Sequence, residues 1–128
     1  MSDANGGTAT YVFGVRFQLE PGAPDVSVEP NSFEAKLLRE ASPPGEDGWL
    51  FFRDNLWRGE LGDERFMREE AEREVGVAVE GIDFRELRTD EEYLDALKGA
   101  IAGDLEAFNA DSVSEVLSKY LGSSIRVE

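Results

Sequence analysis

Gly48-Trp-Leu-Phe-Phe-Arg-Asp-Asn-Leu-Trp-Arg-Gly-Glu60 decides how the rest of the chain is read. It holds both tryptophans and two of the eight phenylalanines, with Arg53 and Arg58 set among the aromatics. Across Trp49–Arg53, Trp49 and Phe51 lie on one alternating face, Leu50 and Phe52 on the other. A strand that is apolar on both faces needs both faces covered. The pattern therefore predicts a central strand over Trp49–Arg53. Helices would cover one face, and a further helix or a second copy of the protein the other.

Toward the N-terminus, Thr8 to Leu19 alternates: Tyr11, Phe13, Val15, Phe17 and Leu19 against Val12, Arg16 and Gln18. That is a half-buried strand, stopped by Pro21-Gly22-Ala23-Pro24. Residues 1–7 are small and polar and are expected to be a disordered N-terminus. Residues 25–31 read as loop, with a short extended option at Val26–Val28. Ser32–Ala41 carries two signals. Phe33, Ala35 and Leu37 alternate, whereas its Glu, Ala, Lys and Leu favour helix and Asn31 with Glu34 imitates a capping box. The turn-rich loop Ser42–Gly48 joins it to the aromatic stretch as a hairpin would, which favours a strand.

Toward the C-terminus, Gly59 and Gly62 precede a predicted helix over Asp63–Val75, with Asp63 as N-cap and Gly76 just past its end. Met67, Ala71 and Val75 form its apolar stripe, with Phe66 beside it; Glu64–Arg68 and Glu69–Arg73 are i, i+4 pairs. A strand follows from Val77 to about Leu87, with a bulge at Gly81 to reconcile the parity of Val77 and Val79 with that of Ile82 and Phe84. Thr89-Asp-Glu-Glu92 is a capping box opening the longest helix, striped by Leu94, Leu97, Ile101, Leu105 and Phe108. Gly99 and Gly103 in it suggest close packing against the sheet. Ser112-x-x-Glu115 caps a third helix, ended by Gly122, and Ile125–Val127 adds an edge strand. The expected fold is α+β: residues 8–128 as one domain, with a mainly antiparallel four-stranded sheet and two to three helices packed on one face.

Composition narrows the setting. The 128 residues carry 28 Asp and Glu against 13 Lys and Arg, a net charge of -15. Ten of the cations are Arg; the lysines are Lys36, Lys98 and Lys119. The acids interleave with core positions, as in Glu69, Glu70, Glu72 and Glu74, rather than forming a tail. Such a coat repels itself at ordinary ionic strength. At about 1 M salt the screening length falls to roughly 3 Å and the repulsion fades. An even acidic coat, scarce Lys and no Cys fit a halophilic cytoplasm, with high salt needed for stability. No apolar run approaches a membrane span, and Met1-Ser-Asp-Ala-Asn-Gly-Gly7 has no leader pattern.

The segment around Leu56-Trp57-Arg58 resembles the signature of the LWR-salt proteins, small proteins known from haloarchaea. The resemblance spans nearly the whole chain. It includes Gly45-Glu-Asp-Gly-Trp-Leu-Phe-Phe-Arg-Asp-Asn-Leu-Trp-Arg-Gly59, Phe84-Arg-Glu-Leu-Arg-Thr-Asp90 and Lys119-Tyr-Leu-Gly-Ser-Ser124. It implies a salt-adapted setting and brings no catalytic or binding residues with it.

The chain has no His and no Cys. That removes the commonest general base, the usual zinc ligands and thiol or Ser–His nucleophiles. Gly59-Glu-Leu-Gly62 lacks the Lys of a phosphate loop. Asp104, Glu106 and Asp111 are oxygen donors without EF-hand spacing. No catalytic residue, metal site or cofactor is assigned. The candidate binding cluster is Arg53, Asp54, Trp57 and Arg58, where guanidinium groups beside indoles suit an anion or a partner's carboxylates. A purely structural account competes with it: Trp57 plugs the core edge, Arg58 pairs with Asp54 at i, i+4, and Arg53 pairs with a neighbouring acid. Arg16, Arg39, Arg85 and Arg88 are candidates to share a sheet face with Arg53. Three functions follow. The first is a non-enzymatic interaction module that binds a protein partner or itself. The second is a binder of, or enzyme for, a small anionic ligand. The third is RNA binding through the exposed sheet, which the net charge disfavours.

Overall fold

The computed structural model describes residues 7–18, 24–27, 29 and 32–128. The expected fraying of residues 1–6, the strand end at Leu19, the stop at Pro21–Ala23, and the roles of Val28 and Asn31 lie outside the described residues. Strand β1 spans Ala9–Gln18 and β2 spans Ser32–Glu40. They pair antiparallel without a register shift, Val12 opposite Leu38. The strand reading of Ser32–Ala41 therefore holds over Ser32–Glu40, and continuous pairing with β1 overrides the helix-forming composition there.

Trp49–Arg53 is not a strand. Successive turns lead from Pro43 to a short helix α1, Phe51–Asn55, followed by a hairpin of β3, Leu56–Trp57, and β4, Glu60–Leu61. Four consecutive apolar residues carry no period, so alternation could not be distinguished from a helical face. What decides it is burial at i, i+4: Phe52 and Leu56 are 1% and 3% exposed. A five-residue helix has little intrinsic stability. Burying Phe and Leu side chains, each worth about 1.5–3 kcal/mol, makes this one form.

Helix α2, Glu64–Val75, starts at Asp63, whose carboxylate accepts from the Phe66 N–H, and ends at left-handed Gly76. Met67 and Ala71 are buried, but Val75 and Phe66 are exposed. Arg68 pairs with Glu64 as expected, whereas Arg73 takes Glu70 instead of Glu69. Strand β5, Val79–Thr89, pairs antiparallel with β1. A register shift beside Gly81 and a second beside Arg85 keep Val79, Ile82, Phe84 and Leu87 on the core side.

Helix α3, Glu91–Ala102, is capped by Asp90 and not by Thr89. The Asp90 carboxylate accepts from the N–H groups of Tyr93 and Thr8, while the Thr89 hydroxyl donates to the Asp90 carbonyl. The predicted stripe breaks at Gly103, and Leu105–Phe108 form a separate 3₁₀ turn. Gly99 faces open space, so it permits no close packing. Helix α4, Val113–Tyr120, is capped by Ser112, and β6, Ile125–Val127, ends the chain.

The sheet order is β2-β1-β5-β6. The first three strands are antiparallel; β6 is parallel to β5, so the sheet is mixed. The crossover through α3 and α4 brings the chain back in the same direction. Buried side chains form one cluster joining Tyr11, Phe13 and Phe84 of the sheet to Phe52, Leu97, Ile101, Phe108 and Val116 of the helical layer. The opposite face of the sheet carries Arg16, Lys36, Arg85 and Arg88 among Glu34, Asp83 and Glu86. No helix among the described residues is long and apolar enough to cross a membrane.

Candidate functional site

The four predicted residues fall into two places. Arg53 and Asp54 are on α1. The Arg53 guanidinium donates to Asp54 at 3.0 Å and to the Ala107 carbonyl at 3.3 Å, tying α1 to the 3₁₀ turn. Arg53 is thus a structural tie. Asp54 does not reach Arg58, because α1 stops at Asn55 and the i, i+4 offset is lost.

Trp57 and Arg58 sit on the hairpin. Arg58 and Gly59 form its two-residue loop, both left-handed, with φ of 53° and 82°. That is the type I′ turn whose twist matches paired strands, and Asn-Gly is its usual sequence. An Arg in the first position costs about 1–2 kcal/mol of backbone strain. Contacts with α4 hold it there. The Arg58 N–H donates to the Lys119 carbonyl at 2.8 Å, and the Gly59 N–H to the Tyr120 carbonyl at 2.9 Å. The carbonyls of a helix's last turn have no partners within the helix, so the hairpin is the cap of α4. Gly122 is left-handed, and a side chain there would stand 3.2 Å from the Arg58 carbonyl, so any other residue is strained.

Trp57 is 48% exposed and meets Tyr120 edge-on, with ring centroids 6.0 Å apart. The Arg58 guanidinium lies 5.8 Å from the Trp57 ring. With Glu115, Ser118 and Lys119 they line a cleft of about 560 Å³. The Lys119 ammonium is engaged, donating to the Phe108 carbonyl at 3.0 Å and the Asn109 carbonyl at 3.4 Å. Glu115 accepts from the Asp111 N–H at 3.1 Å. Among the described residues the Arg58 side chain has no such partner. Nine of the ten arginines lie within 4.0 Å of a carboxylate; among the described residues Arg58 alone does not.

A second cleft, about 480 Å³, lies between Arg39 and the loop Gly45–Leu50, with Asp54 at its edge. Its cation is occupied: Arg39 stacks on Phe51 at 4.7 Å and approaches Glu74. Arg39 and Arg53 therefore do not join Arg16, Arg85 and Arg88 on the open sheet face. There, Arg16 pairs with Glu34, Arg85 with Asp83 and Arg88 with Glu86. Among the described residues no group of three or more acidic side chains could hold a metal ion.

The LWR-salt protein family matches residues 7–128, a span that takes in the α4-capping hairpin. The chain belongs to that family. Comparison with curated proteins and with solved structures finds no match. In this LWR-salt protein the three signature residues have separate duties. Leu56 enters the core, Trp57 faces solvent and Arg58 makes the turn. Lys119, Ser118 and Glu115 were missed from the sequence as cleft residues. They meet Trp57 only because residues 57–59 dock on residues 119–122, a contact across some sixty positions that one chain's sequence does not signal.

Proposed function

We propose that this protein is a salt-adapted, cytoplasmic, non-enzymatic interaction module that receives a carboxylate of its protein partner in the Trp57–Arg58 cleft. One observation carries the reading: among the described residues, Arg58 is the one arginine with no carboxylate within 4.0 Å, although Glu115 lines the same cleft. Strain is retained where the side chain is used, and Asn or Gly would make this turn at lower cost. Arg58 over an exposed indole offers a planar, bidentate donor beside an apolar surface. In brine, with a screening length of about 3 Å, only contact-range pairing of this kind survives.

A second reading, a small-anion binder, is favoured by the cleft volume, which falls within the range of about 300–1,000 Å³ typical of ligand sites. RNA binding is disfavoured, because the arginines of the open sheet face are interleaved with carboxylates.

Tryptophan fluorescence tests these readings. A Trp49→Phe background leaves Trp57 as the reporter. Titration at high salt would use a short Asp/Glu-containing peptide, inorganic phosphate and a uridine oligonucleotide in turn. Saturable response to the peptide alone, abolished by Arg58→Gln, supports the interaction module. Response to phosphate at equal strength supports the anion binder. Absence of any Arg58-dependent response disproves both.

A further inference from the structure

The two edges of the sheet are built differently. On the β6 side the exposed edge is short, because β6 has three residues and pairs only with Leu87–Thr89 of β5. At the start of β5 on that side, α2 takes up two of the free backbone donors. The Glu72 carboxylate accepts from the Val79 N–H at 2.9 Å, and the Glu64 carboxylate from the Ile82 N–H at 3.2 Å. On the other side β2 is outermost, nine residues long, and among the described residues nothing pairs with its outer edge.

Long edge strands are normally blunted by proline, bulges or inward charges. Ser32–Glu40 has no proline, and its register with β1 runs unbroken. Apolar side chains stand exposed on both of its faces, Phe33 at 47% and Leu38 at 56%. Arg39 on the core face is held at one end by Phe51 and Glu74, which leaves Lys36 as the cation at the middle of the strand. Lys36 makes no ion pair among the described residues, although its neighbour Glu34 does.

We infer that β2 is a self-association edge: a second copy of this chain adds antiparallel to it, centred on Ala35, to give a continuous eight-stranded sheet. Side chains directly opposite in an antiparallel pair share a face, so a two-fold axis through the interface allows only same-parity registers. Centring on Glu34 or Lys36 sets that charge against its own copy. Centring on Leu37 sets Glu34 against Glu40. Centring on Leu38 leaves a shorter overlap. Centring on Ala35 places Glu34 opposite the partner's Lys36 twice on the open face. It also places Phe33 opposite the partner's Leu37 twice on the core face. The lone lysine thereby gains a carboxylate and exposed Phe33 an apolar partner, while Leu38 lies opposite the partner's Ser32. This inference stands apart from the Trp57–Arg58 cleft, which lies on the helical side of the chain.

Mass in solution at high salt, by sedimentation or light scattering, gives the first test; a dimer is expected and a single-chain mass overturns the proposal. Lys36→Glu alone and Glu34→Lys alone should each weaken association about tenfold or more, since each replaces two attractive cross-strand pairs with like charges. Mixing the two variants should restore it, because every cross-strand pair is then opposite in sign. A dimer indifferent to both substitutions overturns the inference. Since the chain has no native cysteine, Ala35→Cys, Lys36→Cys and Leu37→Cys read the register independently of the charge variants. Oxidation should cross-link Cys at 35 and leave the other two largely uncoupled. Equal or better coupling at 36 or 37 refutes the Ala35 register.

Discussion

The Arg58 N–H and the Lys119 carbonyl, 2.8 Å apart, join the family signature to the end of helix α4. Gly122 ends α4 by returning its N–H to the Leu117 carbonyl, and the hairpin, through this bond and its Gly59–Tyr120 neighbour, takes up the Lys119 and Tyr120 carbonyls that this ending leaves open. Gly122 is the counterpart on the other side of the contact, left-handed at φ 61° and pressed against the Arg58 carbonyl. Gly122→Ala should cost about 1–2 kcal/mol from φ alone, with further loss because the neighbouring atoms are backbone and cannot swing away. Urea unfolding at fixed high salt measures it. The same substitution at Gly76, also left-handed but facing open space, should cost only the φ penalty.

Arg58 separates stability from binding. Arg58→Asn should raise stability by about 0.5–1 kcal/mol, because Asn adopts the left-handed region at lower cost. Arg58→Val should lower it, since a β-branched residue is an outlier there. If Arg58 served only the fold, Asn would be an improvement without penalty. The proposed function requires instead that Arg58→Asn be more stable and lose peptide binding. Unfolding midpoints and the fluorescence titration, run on one preparation, show both.

Much of the fold is legible in the sequence where a single local signal suffices. Tyr11, Phe13 and Val15 alternate and are buried on one face; Asp63 and Ser112 cap the helices they precede; Gly81 sits beside the bulge that β5 needs. The failures share a physical cause. Trp49-Leu50-Phe51-Phe52 has no period, so tertiary burial of Phe52 and Leu56 chose the helix. Arg58-Gly59 carries no hairpin signal, because Arg is a poor residue for the first position of such a turn. The direction of β6 depends on a crossover of over thirty residues, and nothing local encodes it. For the candidate site, the sequence found Trp57 and Arg58 but grouped them with Arg53 and Asp54, which the end of α1 directs elsewhere.

Glu64 and Glu72 satisfy backbone donors that have no strand partner. Val79 and Ile82 are buried, so a missing acceptor leaves an N–H unpaired away from water. Glu72→Ala and Glu64→Ala should each cost about 1–3 kcal/mol, well above the few tenths expected for an exposed glutamate. Glu→Gln retains an acceptor oxygen and should recover part of the loss. Hydrogen exchange at the Val79 and Ile82 amides is the direct readout, with faster exchange confined to that end of β5.

Stability should fall at both ends of the pH scale. N–H donation from Tyr93 and Thr8 holds the Asp90 carboxyl below its ordinary value, and Arg16 does the same for Glu34. Groups depressed in the folded state stabilise above their unfolded pKa and stop doing so as pH falls through the folded one. Asp90→Asn should flatten that acid limb. At the other end, burial pushes Tyr93 up to about 12 and Tyr11 up as well. The fold keeps these phenols neutral, so stability is full below pH 10.0, the ordinary value, and is lost above it. Tyr93→Phe should lower stability uniformly, by loss of the 2.7 Å bond to the Ser42 carbonyl, and flatten the alkaline limb. Urea midpoints across pH at constant salt distinguish the two effects.

The acidic surface should make stability depend on salt in a specific way. Exposed ion pairs such as Arg16–Glu34 are worth at most about 1 kcal/mol and weaken as salt rises. The net charge of -15 acts in the opposite sense, because self-repulsion is relieved by screening. With 28 acids against 13 cations, the repulsion dominates and stability should rise with KCl until the screening length reaches about 3 Å near 1 M, then level off. Glu46, Asp47 and Asp95 are exposed and make no ion pair among the described residues. Replacing all three by Gln and Asn should therefore stabilise the protein at low salt and change little at high salt. If the triple variant behaved identically to the parent across the salt series, or if desalting left the parent's unfolding midpoint unchanged, charge repulsion would not be what salt relieves.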